Sequence, residues 1–512
     1  MIKAPNYKIL LLHCLLYFIA CIVIGSADYL LLADYLNYLA RIELYNNLSP
    51  THPLSEFYYK DMKITPYMGF FLFVSNLEPL LGIYAAGKLY IMLAMLVIIT
   101  GCLFVNYIIH KNFTWLSLLA HVFLFNHNLS MGFMNFYLGI GLILWGVGIW
   151  IKYNNHSPKF YVLFAVYGLV IYFCHVFSLF ILGLIIGLYE LFLAQINSLR
   201  LFVRSASRAA IKVLSFAVIP IIITPFIVIT DVGVPPITGG YNLPRFLMGM
   251  ASPLFFYEFF FAIMLICLWG VLAYLKFFNV VLLKLPIQVL TIIALVTPFF
   301  LLGIAYVNIR LPIIIALLLI CSASFKQLSR VKIFGVIVLT ISMLAIYVTN
   351  LVAINTCSNN VSNFVAAIKG DKNLEGKKLL SVFPHKTMPD CGYGLSYSHL
   401  SSLAILEANM FVPELITWSP PISTKQRYNY LDAKIGEPIK SRFLFDSKEK
   451  LAKLEKRHQK KYNYTVNFYW KNWREDFDYI NWMHFGAKSE GELSNLSIYK
   501  QGKFFTIYKI NN

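Results

Sequence analysis

The chain has 512 residues, of which 59% are hydrophobic and only 13% are charged. Soluble globular domains carry about 25% charged residues, so this composition excludes an ordinary soluble protein. The net charge of +19 does not indicate nucleic-acid binding, because much of it lies in short loops between apolar segments. Lys and Arg in such loops fix the orientation of a membrane protein.

Eleven apolar segments are predicted to cross a membrane, since a spanning helix needs about 20 mostly apolar residues. They are residues 9–27, 84–109, 113–129, 131–151, 160–174, 175–194, 212–230, 254–276, 285–304, 310–325 and 332–352. The first segment follows Lys3 and Lys8 and resembles a signal peptide. Its cleavage site is weak and more apolar segments follow it, so we expect it to be retained.

The charge of the loops decides whether the shorter apolar segment 65–82 also crosses. If it lies at the interface or re-enters, 14 of the 20 basic residues in positions 1–356 fall on the side of the N-terminus, as cytoplasmic loops require. If it crosses, the basic loops 152–159 and 200–212 move to the outer side. We therefore predict a cytoplasmic N-terminus in an integral protein of the bacterial inner membrane.

The composition changes near residue 357, because positions 357–512 hold 15 acidic and 23 basic residues. The predicted fold class is an all-α polytopic membrane domain at 1–356, followed by a small α/β soluble domain at 357–512. Two long outer loops, 28–83 and 231–253, interrupt the membrane domain. Eleven crossings from a cytoplasmic N-terminus place the C-terminal domain in the periplasm.

Within the C-terminal domain, alternating and helical patterns predict several elements. The expected strands are 377–383, 478–484, 497–499 and 504–510, and the expected helices are 400–411 and 447–462. The second helix is strongly basic and is typical of a solvated surface helix. Cys357 and Cys391 are the two cysteines of the domain. Whether they pair depends on an oxidising compartment and on their geometry, which the sequence leaves open.

The first outer loop opens with D-Y-L-L-L-A-D-Y-L-N-Y-L-A-R at 28–41. If this segment is helical, four polar residues share one face: Asp34, Asn37, Tyr38 and Arg41. We expect the helix to lie flat on the membrane with these side chains above it. The Asp34 carboxylate, with Asp28 second, is suited to deprotonating an acceptor hydroxyl or to binding a divalent cation. The alternative is an amphipathic connector whose polar face only meets water.

Three more candidates are predicted at the outer face. His175 begins an apolar segment, and Arg245 and Arg310 lie at outer ends of segments. Arginine at this depth is suited to bidentate contact with a lipid-linked phosphate, and the alternative is ordinary headgroup anchoring. His121 and Lys88 lie deeper; we expect a hydrogen-bonded core histidine and a lysine that reaches toward the interface.

The sequence lacks the common nucleotide and hydrolase motifs. It contains no phosphate-binding loop, no H-E-x-x-H, no G-x-S-x-G and no dinucleotide fingerprint. A nucleotide-driven reaction is therefore not expected, and any donor substrate has to reach the membrane already activated. No two halves carry matching Gly- or Pro-broken segments, which disfavours a transporter.

The layout resembles that of the GT-C glycosyltransferases, with a first span, a large outer loop that opens with an acid, many spans and an extracytoplasmic C-terminal domain. Locally, A-D-Y-L-N-Y-L-A-R at 33–41 is similar to the D-x-x-N-H-L-A-R opening of uncharacterised bacterial GT-C-like proteins. Segments 58–66, 85–89 and 172–178 also fit that group. The sequence departs from it at Tyr38, where a histidine is usual, and in lacking an acid after residue 66.

The resemblance implies transfer of a sugar from a polyprenyl-phosphate carrier to a glycan or lipid acceptor at the outer face. It implies that Asp34 is the base or a metal-binding carboxylate, and a divalent cation is the candidate cofactor. The lipid-phosphate site is then formed by Arg41, His175, Arg245 and Arg310. Membrane lipids are further partners, and nucleic acid is not. Two other hypotheses stay open: a non-enzymatic lipid or polymer transporter, and an envelope assembly scaffold.

Overall fold

The structure is a computed structural model, and most of the chain is described by it. The described residues are 7–153, 157–195, 197–226, 237–238, 283–297, 300–301, 304–305, 307–322, 330–383, 399–417, 421–431, 439–440, 449–450, 452–453, 456–457, 469–484 and 496–511. Arg245, Cys391 and most of the predicted basic helix 447–462 lie outside this part of the chain. The predictions for these residues therefore stand untested.

Helices dominate the described structure. They are α1 (Tyr7–Gly25), α2 (Tyr35–Asn47), α3 (Gly69–Leu81), α4 (Ile83–His110), α5 (His127–Ser130), α6 (Met134–Tyr153), α7 (Pro158–Cys174), α8 (Val176–Leu193), α9 (Leu199–Ile223), α10 (Lys284–Val296), α11 (Val307–Ser322), α12 (Arg330–Ile368), α13 (Ser402–Ala408) and α14 (Trp473–Asp476). Within the described residues, α1, α4, α6, α8 and α9 are long and apolar enough to cross a membrane, and α3, α7, α10 and α11 are shorter apolar helices.

One predicted span has a different structure. Residues 113–129 form a 3-10 helix at Trp115–Phe123, which is followed by the single turn of α5. Nearly every side chain of this segment is buried, so protein rather than lipid surrounds it. Irregular backbone is tolerated at membrane depth when protein encloses it. The predicted span 285–304 also ends early, at Val296, and short paired strands follow at residues 300–301 and 304–305.

α12 is much longer than the segment 332–352 that was predicted to span the membrane. α12 has 39 residues, which at a rise of about 1.5 Å per residue gives about 58 Å, against a hydrocarbon core of about 30 Å. The compositional boundary at residue 357 therefore lies inside a continuous helix. The C-terminal part of α12 buries Val361, Phe364 and Ile368.

A five-stranded sheet forms the centre of the C-terminal domain. The strands of the described chain are β1 (Tyr58–Lys60), β2 (Ile237–Thr238), β3 (Phe300–Leu301), β4 (Ile304–Ala305), β5 (Leu379–Phe383), β6 (Ile422–Thr424), β7 (Ile439–Lys440), β8 (Tyr479–Met483), β9 (Leu496–Gln501) and β10 (Phe505–Ile510). The large sheet has the order β7-β5-β8-β10-β9, with β5 parallel to β7 and β8 and with antiparallel pairs on the other side. β5, β8, the β9–β10 hairpin and α13 confirm the elements predicted for these stretches.

The first outer loop is joined to the C-terminal domain. β1 in the loop pairs antiparallel with β6, with Tyr58 opposite Thr424. The Tyr58 hydroxyl donates to the carbonyl of Val412 at 2.9 Å, and the Phe57 and Phe411 rings lie 4.8 Å apart. The two regions therefore share one hydrophobic core, although some 350 residues separate them in the chain.

Candidate active site

Asp34 lies at the first residue before α2. A helix was expected from residue 28, but α2 begins at Tyr35, and Asp34 makes no side-chain capping bond. Residues 33 and 34 are instead held by the turn between α5 and α6, where the amide of Ala33 donates to the carbonyl of Ser130 at 2.8 Å and that of Asp34 to the carbonyl of Met131 at 3.2 Å. The Asp34 side chain is 25% exposed, so it faces an open space and is not locked into a cap.

Gly132 fixes this docking. Its φ is +73°, a backbone conformation that residues other than glycine rarely adopt. A Cβ at Gly132 would lie 2.6 Å from the amide nitrogen of Asp34 and 2.8 Å from that of Tyr35. The position of the Asp34 carboxylate therefore depends on the absence of a side chain at residue 132.

The polar face of α2 is buried, which corrects the expectation that it lies on the membrane surface. Asn37 is fully buried and Arg41 is only 4% exposed. The Arg41 guanidinium lies 5.8 Å from the centre of the Tyr38 ring. Because burying a charge is costly unless it is compensated, an amphipathic connector meeting water does not describe this helix.

Tyr38 lies at the centre of a charged cluster. Burial raises the pKa of Tyr38 to about 12; the Asp34 carboxylate adds to the rise, and Arg41 and Arg310 oppose it. Burial lowers the pKa of Arg41 to about 10, so that guanidinium still carries its charge at neutral pH. The phenol is therefore neutral, and three charged side chains surround it.

Arg310, in the first turn of α11, is bound to His175 at the junction of α7 and α8. The Arg310 Nη1 lies 2.7 Å from the His175 Nε2. The guanidinium also lies over two rings, at 4.3 Å from Phe133 and 5.1 Å from Phe136. Both Arg310 and His175 are buried. Two residues predicted separately from the sequence are therefore in direct contact.

Asn135 places an aromatic wall beside this pair. Its Nδ2 donates to the carbonyl of Tyr67 at 2.8 Å, and its Oδ1 accepts from the amide of Phe70 at 2.7 Å. The Tyr67 ring then lies 5.0 Å from the His175 ring, edge to face. Tyr67 and the start of α3 therefore form one side of the cluster. Both belong to the short apolar segment 65–82.

The C-terminal domain adds a residue that the sequence did not single out. The His399 Nε2 lies 3.5 Å from the Asp34 Oδ1, and its Nδ1 lies 3.1 Å from the Asn37 Nδ2. His399 precedes α13 and is buried. No local pattern marks this histidine, because its partners lie more than 360 residues earlier in the chain.

Comparison with known proteins gives a structural likeness and no sequence match. No family model matches the sequence, and no curated protein matches it. Over 98% of this chain and 97% of the other, the structure is similar to ArnT from Cupriavidus metallidurans, solved with undecaprenyl phosphate bound, with a TM-score of 0.50 and 9% identity. The chain has a GT-C-like fold. It is an integral membrane protein with apolar helices and a small C-terminal sheet region.

Two predicted site residues, Asp28 and Arg245, are not seen in this cluster. Asp28 is exposed, and its charge acts on Lys88 and Tyr29. The Lys88 Nζ donates to the carbonyl of Ala27, so this lysine reaches toward the outer loop as expected. Arg245 belongs to the part of the chain that the structure does not describe. Asp34, Arg41, His175 and Arg310 are the predicted residues that the fold brings together.

The charges of the cluster suit an anion. One carboxylate, Asp34, faces the two guanidiniums of Arg41 and Arg310. This leaves a surplus of positive charge in a buried space, which attracts phosphate and repels a cation. Across the described residues, no three His, Cys, Asp or Glu side chains are grouped so that they could hold a metal ion. The described site therefore fits a phosphate better than the divalent cation proposed from the sequence.

Proposed function

We propose that this chain is a membrane glycosyltransferase that moves a sugar from a polyprenyl-phosphate carrier to an acceptor at the outer face. One observation carries the proposal: a partly open carboxylate, Asp34, lies in the same cluster as the buried Arg310–His175 pair. A base beside an anion site is what transfer from a phosphate-linked sugar requires. The bound undecaprenyl phosphate in the structurally similar ArnT agrees with this substrate class.

Hydrogen-bond chemistry supports Arg310 and His175 as the phosphate site. A guanidinium has only donors, so the His175 Nε2 must accept and the hydrogen of the neutral ring is on Nδ1. Among the described residues, neither the His175 Nδ1 nor the Arg310 Nε has a partner. Buried donors without partners are costly, and phosphate oxygens are suitable acceptors for both.

The reaction follows from these roles. The acceptor hydroxyl attacks the anomeric carbon of the sugar while Asp34 takes the hydroxyl proton. The bond between the anomeric carbon and the phosphate oxygen breaks, and its electron pair leaves with the carrier phosphate. Arg310, His175 and Arg41 stabilise the negative charge that develops there. No step needs a nucleotide.

The finer features of the proposal are these. The chain lies in the bacterial inner membrane with a cytoplasmic N-terminus, and residues 357–512 form a periplasmic domain. Arg245 contributes to the carrier phosphate site. The acceptor is a glycan or a lipid.

The test compares two acids of one loop. Membranes from a host strain without its own copy supply the native donor and acceptor, and purified variants are added back. We expect Asp34→Asn to reduce transfer, followed by mass spectrometry of the surface glycans and lipids, by about 10²- to 10⁴-fold, as loss of a general base does. The matched control Asp28→Asn, at an exposed position, should retain at least about half of the activity.

Full transfer by Asp34→Asn would contradict the residue assignment. If adding back the unmodified chain changes no glycan or lipid, the transferase proposal itself fails. Binding of undecaprenyl phosphate to the purified Asp34→Asn protein serves as the control for folding, because this substitution leaves the hydrogen-bond donors of Arg310 and His175 unchanged.

A further inference from the structure

We propose that His399 is a positioning residue for Asp34, and that the C-terminal domain thereby completes the active site. This inference rests on the proposed function. The side chain of His399 is 6% exposed, and it lies between the Asp34 carboxylate and the Asn37 amide. The role of such a residue depends on which ring nitrogen carries the hydrogen.

The orientation of the Asn37 amide answers that question. The Asn37 Oδ1 accepts from the backbone amide of Ile416 at 3.3 Å, and its Nδ2 donates to the backbone carbonyl of Glu414 at 3.1 Å. A backbone N–H can only donate and a carbonyl can only accept. In the flipped orientation the amide NH2 would face the N–H of Ile416, and the amide oxygen would face the carbonyl of Glu414. Only the unflipped orientation is therefore allowed.

The tautomer of His399 follows. The Asn37 Nδ2 lies 3.1 Å from the His399 Nδ1, and as an amide nitrogen it can only donate. The His399 Nδ1 must therefore accept, and the single hydrogen of the neutral ring is on Nε2. A doubly protonated ring would bring an N–H of Nδ1 against the N–H of Asn37, so Asn37 disfavours the imidazolium form.

This tautomer directs a donor at Asp34. The His399 Nε2–H faces the Asp34 Oδ1 at 3.5 Å, which is the long limit of a hydrogen bond. Catalytic hydrogen bonds are often long without substrate and shorten in the complex. Because Nε2 carries a hydrogen and Nδ1 is occupied, His399 cannot take the acceptor proton. Its role is to hold one carboxylate oxygen, so that the other faces the acceptor hydroxyl.

The chain of contacts links domain docking to the site. Backbone groups of residues 414 and 416 orient Asn37, Asn37 sets the His399 tautomer, and His399 orients Asp34. Each of these four contacts joins a residue of the C-terminal domain to Asn37 or Asp34. A membrane domain without this docking would keep Asp34 but lose its orientation.

The test uses two substitutions at His399 in the host-membrane transfer assay. Gln can place an amide N–H near the position of Nε2, whereas Met has similar length and no donor. We expect His399→Met to lower the transfer rate about 10- to 100-fold, the cost typical of losing an orienting partner. His399→Gln should restore the rate to within about fivefold of the unmodified protein. Binding of undecaprenyl phosphate should be unchanged in both.

A substitution at Asn37 separates orientation from mere packing. In Asn37→Asp the new carboxylate accepts from Nδ1, which moves the hydrogen of the neutral ring away from Nε2. His399 then has no hydrogen to donate to Asp34, so transfer by this variant should fall to about the rate of His399→Met, although the size of both side chains is nearly unchanged.

The outcomes are distinct from those of the proposed function. Full transfer by His399→Met, with Asp34→Asn inactive, overturns this inference and leaves the transferase proposal intact. Equal loss in folded His399→Gln and His399→Met also overturns it, because the donor would then not matter. Full transfer by Asp34→Asn overturns the proposed function instead.

Discussion

Two buried histidine clusters among the described residues differ in how their polar atoms are paired. In the inner cluster (His13, Ser117 and His121), both ring nitrogens of His13 are bonded, at 2.9 Å to the His121 Nε2 and at 2.9 Å to the Ser117 Oγ. In the outer cluster (Asp34, Tyr38, Arg41, His175, His399 and Arg310), the Arg310–His175 pair is made but the Arg310 Nε and the His175 Nδ1 have no partner among the described residues.

The pairing of the buried polar atoms distinguishes a structural cluster from a candidate binding site. A buried polar group whose bonds are satisfied contributes to the fold and has little left to offer a ligand. A buried donor that lacks a partner costs stability, and such costs are usually retained where a ligand or substrate supplies the missing atom. The inner cluster confirms the prediction that His121 is a hydrogen-bonded core histidine. The outer cluster is where we expect substrate.

The largest effect on carrier binding is expected from opening the Arg310–His175 pair. Arg310→Gln removes the charge and most donors, so affinity for undecaprenyl phosphate should fall about 10- to 100-fold, the value of one or two hydrogen bonds to a charged group. Arg310→Lys should recover only part of this loss, because an ammonium lacks the planar fork. The measurement is native mass spectrometry of the lipid complex in nanodiscs.

Arg208→Gln, at an exposed residue of α9, is the matched control for removing a positive charge. Undecaprenol, which lacks the phosphate, should bind the unmodified protein and Arg310→Gln equally. Unchanged phosphate binding in Arg310→Gln would mean that the outer cluster is not the carrier site.

A second prediction displaces Asp34 without changing any polar group. Gly132→Ala places a Cβ 2.6 Å from the Asp34 amide nitrogen, so the loop must move. Displacement of a catalytic group by about 1 Å costs about 100-fold in rate, and we expect a loss of 10- to 100-fold in transfer. Gly187→Ala is the control, since its Cβ would meet only the Val213 side chain at 3.7 Å. Full transfer by a folded Gly132→Ala protein would show that the position of Asp34 does not matter.

A third prediction concerns the pH dependence of stability at the interface between the first outer loop and the C-terminal domain. Burial raises the pKa of Glu414 to about 8 from its usual value near 4.5, so the folded protein holds a proton that the unfolded chain loses. The stability from this carboxyl is complete below pH 4.5 and is lost as pH rises through about 8. The melting temperature should therefore fall by about 1 °C per pH unit across this window.

Glu414→Gln should flatten this pH dependence, because an amide does not titrate. Melting temperatures of both proteins at pH 5, 6.5 and 8 provide the comparison. The same decline in both proteins would place the titrating group elsewhere.

The smallest effect on function is expected in the inner cluster. Ser117→Ala leaves the His13 Nε2 without its 2.9 Å partner and should cost about 1–3 kcal/mol of stability. Transfer per folded molecule should change less than about twofold, since no unpaired group is removed from the outer cluster. Loss of transfer at an unchanged melting temperature would overturn the distinction between the two clusters.

Local patterns were sufficient for the parts of the site that lie close together in sequence. Spacings of three and four placed Asn37, Tyr38 and Arg41 on one face of α2, and the structure agrees. The pattern did not show that this face is buried or that the helix begins only after Asp34. The helix start follows from contacts with residues 130–132, and the burial of Asn37 follows from its contacts with residues 399, 414 and 416.

Long-range contacts account for what the sequence could not predict. Charge at segment ends indicated Arg310 and His175 separately, but not their contact. His399 reaches Asp34 across 365 positions through the docking of a second domain, and nothing in its neighbours predicts that. Segment 113–129 was predicted to span the membrane because apolar composition does not distinguish contact with lipid from burial in protein.

The most direct test of the central claim is an electron cryo-microscopy structure of the full chain in a lipid nanodisc with undecaprenyl phosphate. The account predicts phosphate oxygens within hydrogen-bonding distance of the Arg310 and His175 nitrogens, with the Asp34 carboxylate facing the same space. A phosphate bound elsewhere, with Arg310 and Asp34 in separate environments, would contradict it.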